Sequence, residues 1–181
     1  MTAYVALLRG INVGGKNILP MKDFREILEN LGCESVVTYI QSGNAVFRSS
    51  AAGGALSESI ATAIDIDFGF RPSVMMVEAA DFVAIAAANP YADADVEAKH
   101  VHISFLSKVA KSANLTRMAE IASNGEKFVL TDRAFYMLAP NGIGRSKLAA
   151  EVEKCLGVKA TGRNWRTVGK IGELIELIPQ S

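Results

Sequence analysis

Four short runs concentrate Gly, Asn, Arg and Lys beyond what ordinary turns need: 9–17 (RGINVGGKN), 41–44 (QSGN), 142–147 (GIGRSK) and 161–165 (TGRNW). Each sits at the edge of a hydrophobic stretch, where backbone amides, amide side chains and cations can meet a ligand. The chemistry on offer is recognition of an anion, above all a phosphate. Residues 10–17 read G-x-x-x-x-G-K-N after an apolar run, one residue away from a phosphate-binding P-loop. The difference matters: Asn17 stands where a Ser or Thr hydroxyl would hold Mg²⁺. Pro20 also delays the helix, so Lys16 does not open its first turn. A nucleotide triphosphatase is therefore not expected. Two readings stay open, a Lys-bearing anion loop and a loop whose glycines serve only the turn.

The run 142–147 opens a helix, with Ser146 placed to cap it and Arg145 and Lys147 adding charge. It suits an anion, or it is a capped helix with two solvated cations. Arg163, Asn164 and Trp165 bring a planar guanidinium, an amide and the only Trp, fit to hold a phosphate and stack a base. The alternative is a core Trp with Arg163 bonding local carbonyls. The candidate ligand-binding residues are thus Arg9, Asn12, Lys16, Asn17, Gln41, Ser42, Asn44, Arg145, Ser146, Lys147, Arg163, Asn164 and Trp165. His100 and His102 alternate with Val101 and are expected on one side of a strand, with only Glu97 or Asp95 close in sequence. That is short of a metal ligand set, so no metal or cofactor is expected. With two histidines in one strand, no Ser-His-Asp or Cys-His constellation can be assigned and no catalytic residue is named.

The composition frames these motifs. The 181 residues are half hydrophobic, enough for a packed core in one domain or two small ones. The apolar run 3–8 is too short to span a membrane and no basic region precedes it, so neither a membrane partner nor a signal peptide is expected. Cys33 and Cys155 lie far apart without metal-ligand spacing, which points to reduced thiols in a cytoplasm. Net charge is zero but unevenly placed: residues 51–100 carry 2 basic and 8 acidic side chains, residues 141–170 carry 7 basic and 2 acidic. Zero overall argues against unspecific coating of nucleic acid. The basic stretch permits an anion site or a solvated helix face.

The elements that must position the motifs follow from hydrophobic spacing. Strands are expected at 4–9, 35–40, 45–48 and 72–77, with helices at 21–31, 56–68 and 82–88, the last capped by Asp81. The order βαββαβ plus a helix is the ferredoxin-like arrangement. Asn89-Pro90 stops the third helix, and residues 89–98 read as a linker. The order then repeats, with strands at 100–106, 127–131, 135–139 and 158–161 and helices at 115–122, 146–156 and 165–178. The expected fold is α+β, with two ferredoxin-like subdomains at 1–88 and 99–181. In such a unit strands one and two end at one sheet edge, so 9–17 and 41–44 should be neighbours. Strands three and four end together too, so 142–147 and 161–165 should be neighbours in the second unit.

The runs ALLRGINVGGKN (6–17), PM (20–21), TYIQSGNAVF (38–47), NPY (89–91), GIGRSKL (142–148) and TGRNWRTV (161–168) span nearly the whole chain. On these the sequence resembles the bacterial family of domains of unknown function numbered 1697. It departs at Gly162, where the family more often has Ala or Thr, and at Ala45, where it often has Val. The resemblance implies an α+β fold of two ferredoxin-like halves and no established activity, substrate or cofactor. The leading functional reading is a cytoplasmic protein that binds a phosphorylated ligand, nucleic acid or nucleotide. The strands lack the aromatic-rich signature of an RNA-recognition sheet. Two alternatives are a small enzyme acting on a phosphorylated metabolite in the interdomain cleft, with Lys16 or Arg145 stabilising charge, and a structural or interaction protein whose motifs only fix turns.

Overall fold

In the computed structural model, which describes residues 1–179, the elements fall in the expected order. The first sheet is built from β1 (Thr2–Arg9), β2 (Glu34–Tyr39), β3 (Asn44–Ser49) and β4 (Ser73–Glu78), with α1 (Met21–Asn30) and α2 (Gly53–Phe68) between them. The second contains β5 (Val101–Leu106), β6 (Lys127–Leu130), β7 (Ala134–Leu138) and β8 (Ala160–Asn164), with α4 (Leu115–Ile121) and α5 (Lys147–Leu156). Helix α3 (Ala79–Ala87) follows the first sheet and α6 (Trp165–Leu177) the second. The architecture is α+β. No helix of the described residues is long and apolar enough to cross a membrane.

Both sheets have the same order, β2-β3-β1-β4 and β6-β7-β5-β8, and every neighbouring pair is antiparallel. Helices α1 and α2 cover one face of the first sheet, and α4 and α5 one face of the second. On β1 the alternate residues Tyr4, Ala6 and Leu8 pack with Phe24 and Leu28 of α1 and with Leu56, Ile60 and Ile64 of α2. The period of two on the strand meets the i, i+3, i+4 spacing on each helix. In the second sheet Phe135 and Met137 pack with Met118 of α4 and with Leu148, Val152 and Leu156 of α5. Each such buried Phe or Leu contributes about 1.5–3 kcal/mol. The other strand faces are buried as well: Val5, Leu7 and Val46 in the first sheet, Val101, Ile103, Phe105 and Tyr136 in the second. That leaves little room for an open sheet face of the kind that binds RNA.

Several boundaries differ from the sequence reading. The last strand is longer than 158–161: β8 runs through Arg163 and Asn164, because Gly162 keeps an ordinary backbone and pairs with Ser104. The run TGRNW is thus mostly strand and not a loop after one. Asp81 lies within the first turn of α3 and not at its cap, where its charge still favours the helix N-terminus. His100 belongs to a 3₁₀ turn at Ala98–His100, so only His102 is in β5 and the two rings do not share a strand face. By contacts the chain also divides within helices, away from residues 89–98. One unit comprises Met1–Ala84 and the residues from Lys170 on, the other Ile85–Gly169. The divisions fall inside α3 and α6, and the residues 89–97 are tight turns in which Asn89 accepts from the Tyr91 amide.

Of the glycines in the first unit, Gly43, between β2 and β3, is the most closely packed. Its φ is +75°, and a Cβ there would lie 2.6 Å from Ile11 Cδ1 and 2.7 Å from Leu8 Cβ. Backbone strain and overpacking combine, so Gly43→Ala should cost about 2–4 kcal/mol in urea unfolding. Gly54→Ala, at an ordinary φ with open space around it, should leave stability equal or higher.

Candidate functional sites

Because β1 and β2 are both antiparallel to β3, they run the same way and the loops after them meet. The contact is direct. Asn12 Nδ2 donates to the Gln41 carbonyl at 2.8 Å and the Leu8 amide donates to Gly43 O at 2.8 Å. The pairing of 9–17 with 41–44 therefore holds.

The glycine-rich run is a miniature hairpin. The Asn12 amide bonds Asn17 O at 3.0 Å and the Lys16 amide bonds Val13 O at 3.1 Å, with Gly14 and Gly15 at φ +58° and +73° between them. Two left-handed central residues make a type I′ turn, which the Gly-Gly pair permits at no steric cost. Its amides do not alternate in handedness as an anion-cradling nest does. The asparagines are spent on the loop. Asn12 also donates to Leu19 O and accepts from the Leu19 amide, both at 2.9 Å. Asn17 Nδ2 donates to Gly10 O at 2.7 Å. Buried Asn44 closes the 40–43 turn through Tyr39 O at 2.9 Å and Ser42 Oγ at 3.0 Å. Asn12 and Asn17 are themselves left-handed, a conformation Asn tolerates. Arg9, Lys16 and Gln41 are exposed around this frame, together with Val13, Ile18 and Ile40. Ile40 has φ +47°, unfavourable for a β-branched residue. Nothing in the sequence marks it, since Ile there reads as strand.

In the second unit β7 and β8 are both antiparallel to β5, so the loop 139–146 and the β8–α6 junction lie at one end of the sheet. Two turns, Gly142 amide to Ala139 O at 2.8 Å and Ser146 amide to Ile143 O at 3.1 Å, lead into α5. Ser146 Oγ caps the helix through the Ala149 amide at 2.9 Å, and Arg145 and Lys147 on either side are exposed. Asn164 caps α6 through the Thr167 amide at 2.9 Å. Both amide-bearing or hydroxyl candidates thus work as helix caps, which the Ser and Asn chemistry foretold only for Ser146.

The register separates the cations. Arg163 pairs with Ile103, which pairs with Tyr136, on the face opposite Phe135, Met137 and α5. Arg145 and Lys147 lead into the helix on the other face. Arg163 is half-buried, with Nη1 donating to Gly162 O at 2.9 Å, and burial pushes its pKa down to about 10, still cationic at neutral pH. Trp165 is half-buried at the start of α6. His102, on the α5 face at the same end, has a buried Nε2 with no hydrogen-bond partner. Burial pushes its pKa below the ordinary value, the neighbouring His100 adds to this, and a bond to the Lys99 backbone opposes it. No group of three or more His, Cys, Asp or Glu able to hold a metal occurs among the described residues.

A family model described as "Protein of unknown function (DUF1697)" matches residues 1–136. The chain belongs to this family. The match covers the first unit's glycine-rich run and ends before the 142–148 and 161–168 runs. Among solved structures the chain is similar to a conserved bacterial protein, SP0830 from Streptococcus pneumoniae. The TM-score is 0.68, with 26% identity, 96% of this chain and 98% of that one being covered. No curated protein sequence matches.

Two outcomes follow from these geometries. Asn12→Ala removes three bonds from one amide and should cost about 2–3 kcal/mol in thermal or urea unfolding, whereas Lys16→Ala at the exposed tip should stay within about 0.5 kcal/mol. For His102 the folded pKa is depressed, so the unfolded chain binds more protons than the native one below the ordinary histidine range. Stability should therefore fall as pH drops through about 6.5, and His102→Gln should flatten that slope in urea titrations run at neutral and mildly acidic pH.

Proposed function

We propose that this protein binds a phosphorylated ligand, nucleic acid or nucleotide, at the end of the second unit where β7 and β8 finish. We read each unit as ferredoxin-like, with that end as the one its connections leave for binding. The observation that carries the reading is the shared direction of β7 and β8. Each passes at this end into the N-terminus of a helix, and Arg145, Lys147, Arg163 and Arg166 accompany them. Helix N-termini and guanidinium groups both favour phosphate. The charge balance agrees, since residues 141–170 are a basic stretch in a chain whose overall charge is zero. The first unit contributes less, because its asparagines hold the hairpin and a type I′ turn is a poor anion cradle. No reaction is assigned. The two cysteines, both free and buried, accord with a cytoplasmic location.

Trp165 provides the test, as the only Trp and half-buried at the start of α6, next to Arg166 in the chain. Its emission should change on titration with a nucleoside triphosphate or a short single-stranded oligonucleotide. Arg145→Ala should weaken that binding by about 1–3 kcal/mol, the size of a charged hydrogen bond, and Arg163→Ala, on the opposite sheet face, should weaken it less. Arg145→Ala should leave the melting temperature in place because its side chain is exposed. A steep loss of affinity with salt identifies the oligonucleotide as the better ligand. Unchanged emission with both ligands sinks the reading.

A further inference from the structure

The two sheets expose four edge strands, β2 and β4 in the first and β6 and β8 in the second. An edge offers unpaired N–H and C=O groups, and native sequences normally block the addition of another strand there. Three of the four edges carry such a block. β2 has a register shift between Glu34 and Val37, with Ser35 left-handed inside it. β6 is four residues long and opens on Lys127. β8 contains Gly162 and Arg163, and the Glu153 carboxylate already accepts its Ala160 amide at 2.8 Å. β4 reads Ser-Val-Met-Met-Val-Glu and stays in register with β1 from Arg9↔Ser73 to Tyr4↔Glu78. It has no bulge, no Pro and no cation, and its one charge is terminal. Val74, Met75, Met76 and Val77 are half-buried, whereas Tyr4 to Leu8 on the neighbouring β1 are buried.

We propose that β4 is a pairing edge and that its partner is β4 of a second copy of this chain, joined antiparallel about a two-fold axis. Along an edge, alternate residues direct their backbone groups outward. Two antiparallel copies of one strand bring outward groups together only when the axis passes through a residue, here Met75 or Met76. Ser57 Oγ already donates to the Val74 carbonyl at 2.8 Å, which leaves 75–78 as the open stretch and favours Met76. Met76 then faces the partner's Met76, and Met75 faces the partner's Val77. Glu78 lies across from the partner's Val74, so the only charges on the strand never oppose each other. Like charges directly opposite would be destabilising. The methionines adapt to a symmetric contact. One strand pair is small against a standard interface of about 1,600 Å², so the dimer should be concentration-dependent.

Sedimentation equilibrium of the full chain, from micromolar to millimolar, should show a monomer–dimer equilibrium. Val77→Lys places like charge near the axis and should raise the dimer dissociation constant at least about tenfold, with a thermal melt reporting that the variant is folded. Met76→Cys provides a second arm that does not depend on that variant. Under mild oxidation it should cross-link through the directly opposed position, faster than Ile66→Cys on the exposed face of α2. The native Cys33 and Cys155 are buried and should contribute little background. A wild-type chain that stays monomeric overturns the proposal, whatever else adds to β4. So does a folded Val77→Lys chain that dimerises undiminished, or cross-linking of Ile66→Cys as fast as Met76→Cys.

Discussion

The rest of the structure depends on the hydrogen bonding of β1 and β5 along both of their edges. Each is the first strand of its sheet in sequence, yet each sits inside the sheet, antiparallel to the third strand on one side and to the fourth on the other. Once that strand is central, the second strand must run parallel to it one place further out. The connections then have no choice of end. Loops that follow strands one and two meet, and loops that follow strands three and four meet. The placing of every polar motif described above follows from this single arrangement.

Within that frame the chain resolves a conflict at the end of β1. The backbone must turn sharply twice, between Gly10 and Leu19 and again between Tyr39 and Asn44, leaving carbonyls without ladder partners. Side-chain amides supply the donors: Asn12 reaches Leu19 and Gln41, Asn17 reaches Gly10, Asn44 reaches Tyr39. An Asn does this better than a charged residue because it both donates and accepts and tolerates left-handed φ. The residues that look most like a ligand site in the first unit are therefore occupied in holding it. The second unit solves its turns differently, with backbone bonds and caps from Ser146 and Asn164, while Arg163 bonds the Gly162 carbonyl and Arg145 and Lys147 are exposed.

Element order was legible in the sequence because long stretches obey one period. Phe24, Ile27 and Leu28 declare α1, and alternation declares β5. The pairing of 9–17 with 41–44 followed from topology without any contact being known. What could not be read was local or long-range. TGRNW looked like a loop because Gly162 and Asn164 are turn formers, but pairing with β5 overrides that preference. The face of Arg163 depends on the register with Ile103, which sequence does not fix. The left-handed Ile40 is set by the turn around it and contradicts its own propensity. Asn89 and His102, each with one buried nitrogen that lacks a hydrogen-bond partner, carry no sequence signal beyond their polarity.

The return of the chain to the first unit after Gly169 bears on the order in which the protein is made. The second unit is one uninterrupted stretch, Ile85–Gly169, whereas the first is assembled from both sides of it. During synthesis the strands β1 to β4 emerge early but lack part of their unit until the second half of α6 exists. The second unit has every piece by then. The later-made half is thus the first whose residues have all been synthesised. Domains generally fold as units as they emerge, and here the unit that begins first is the last to have all of its residues.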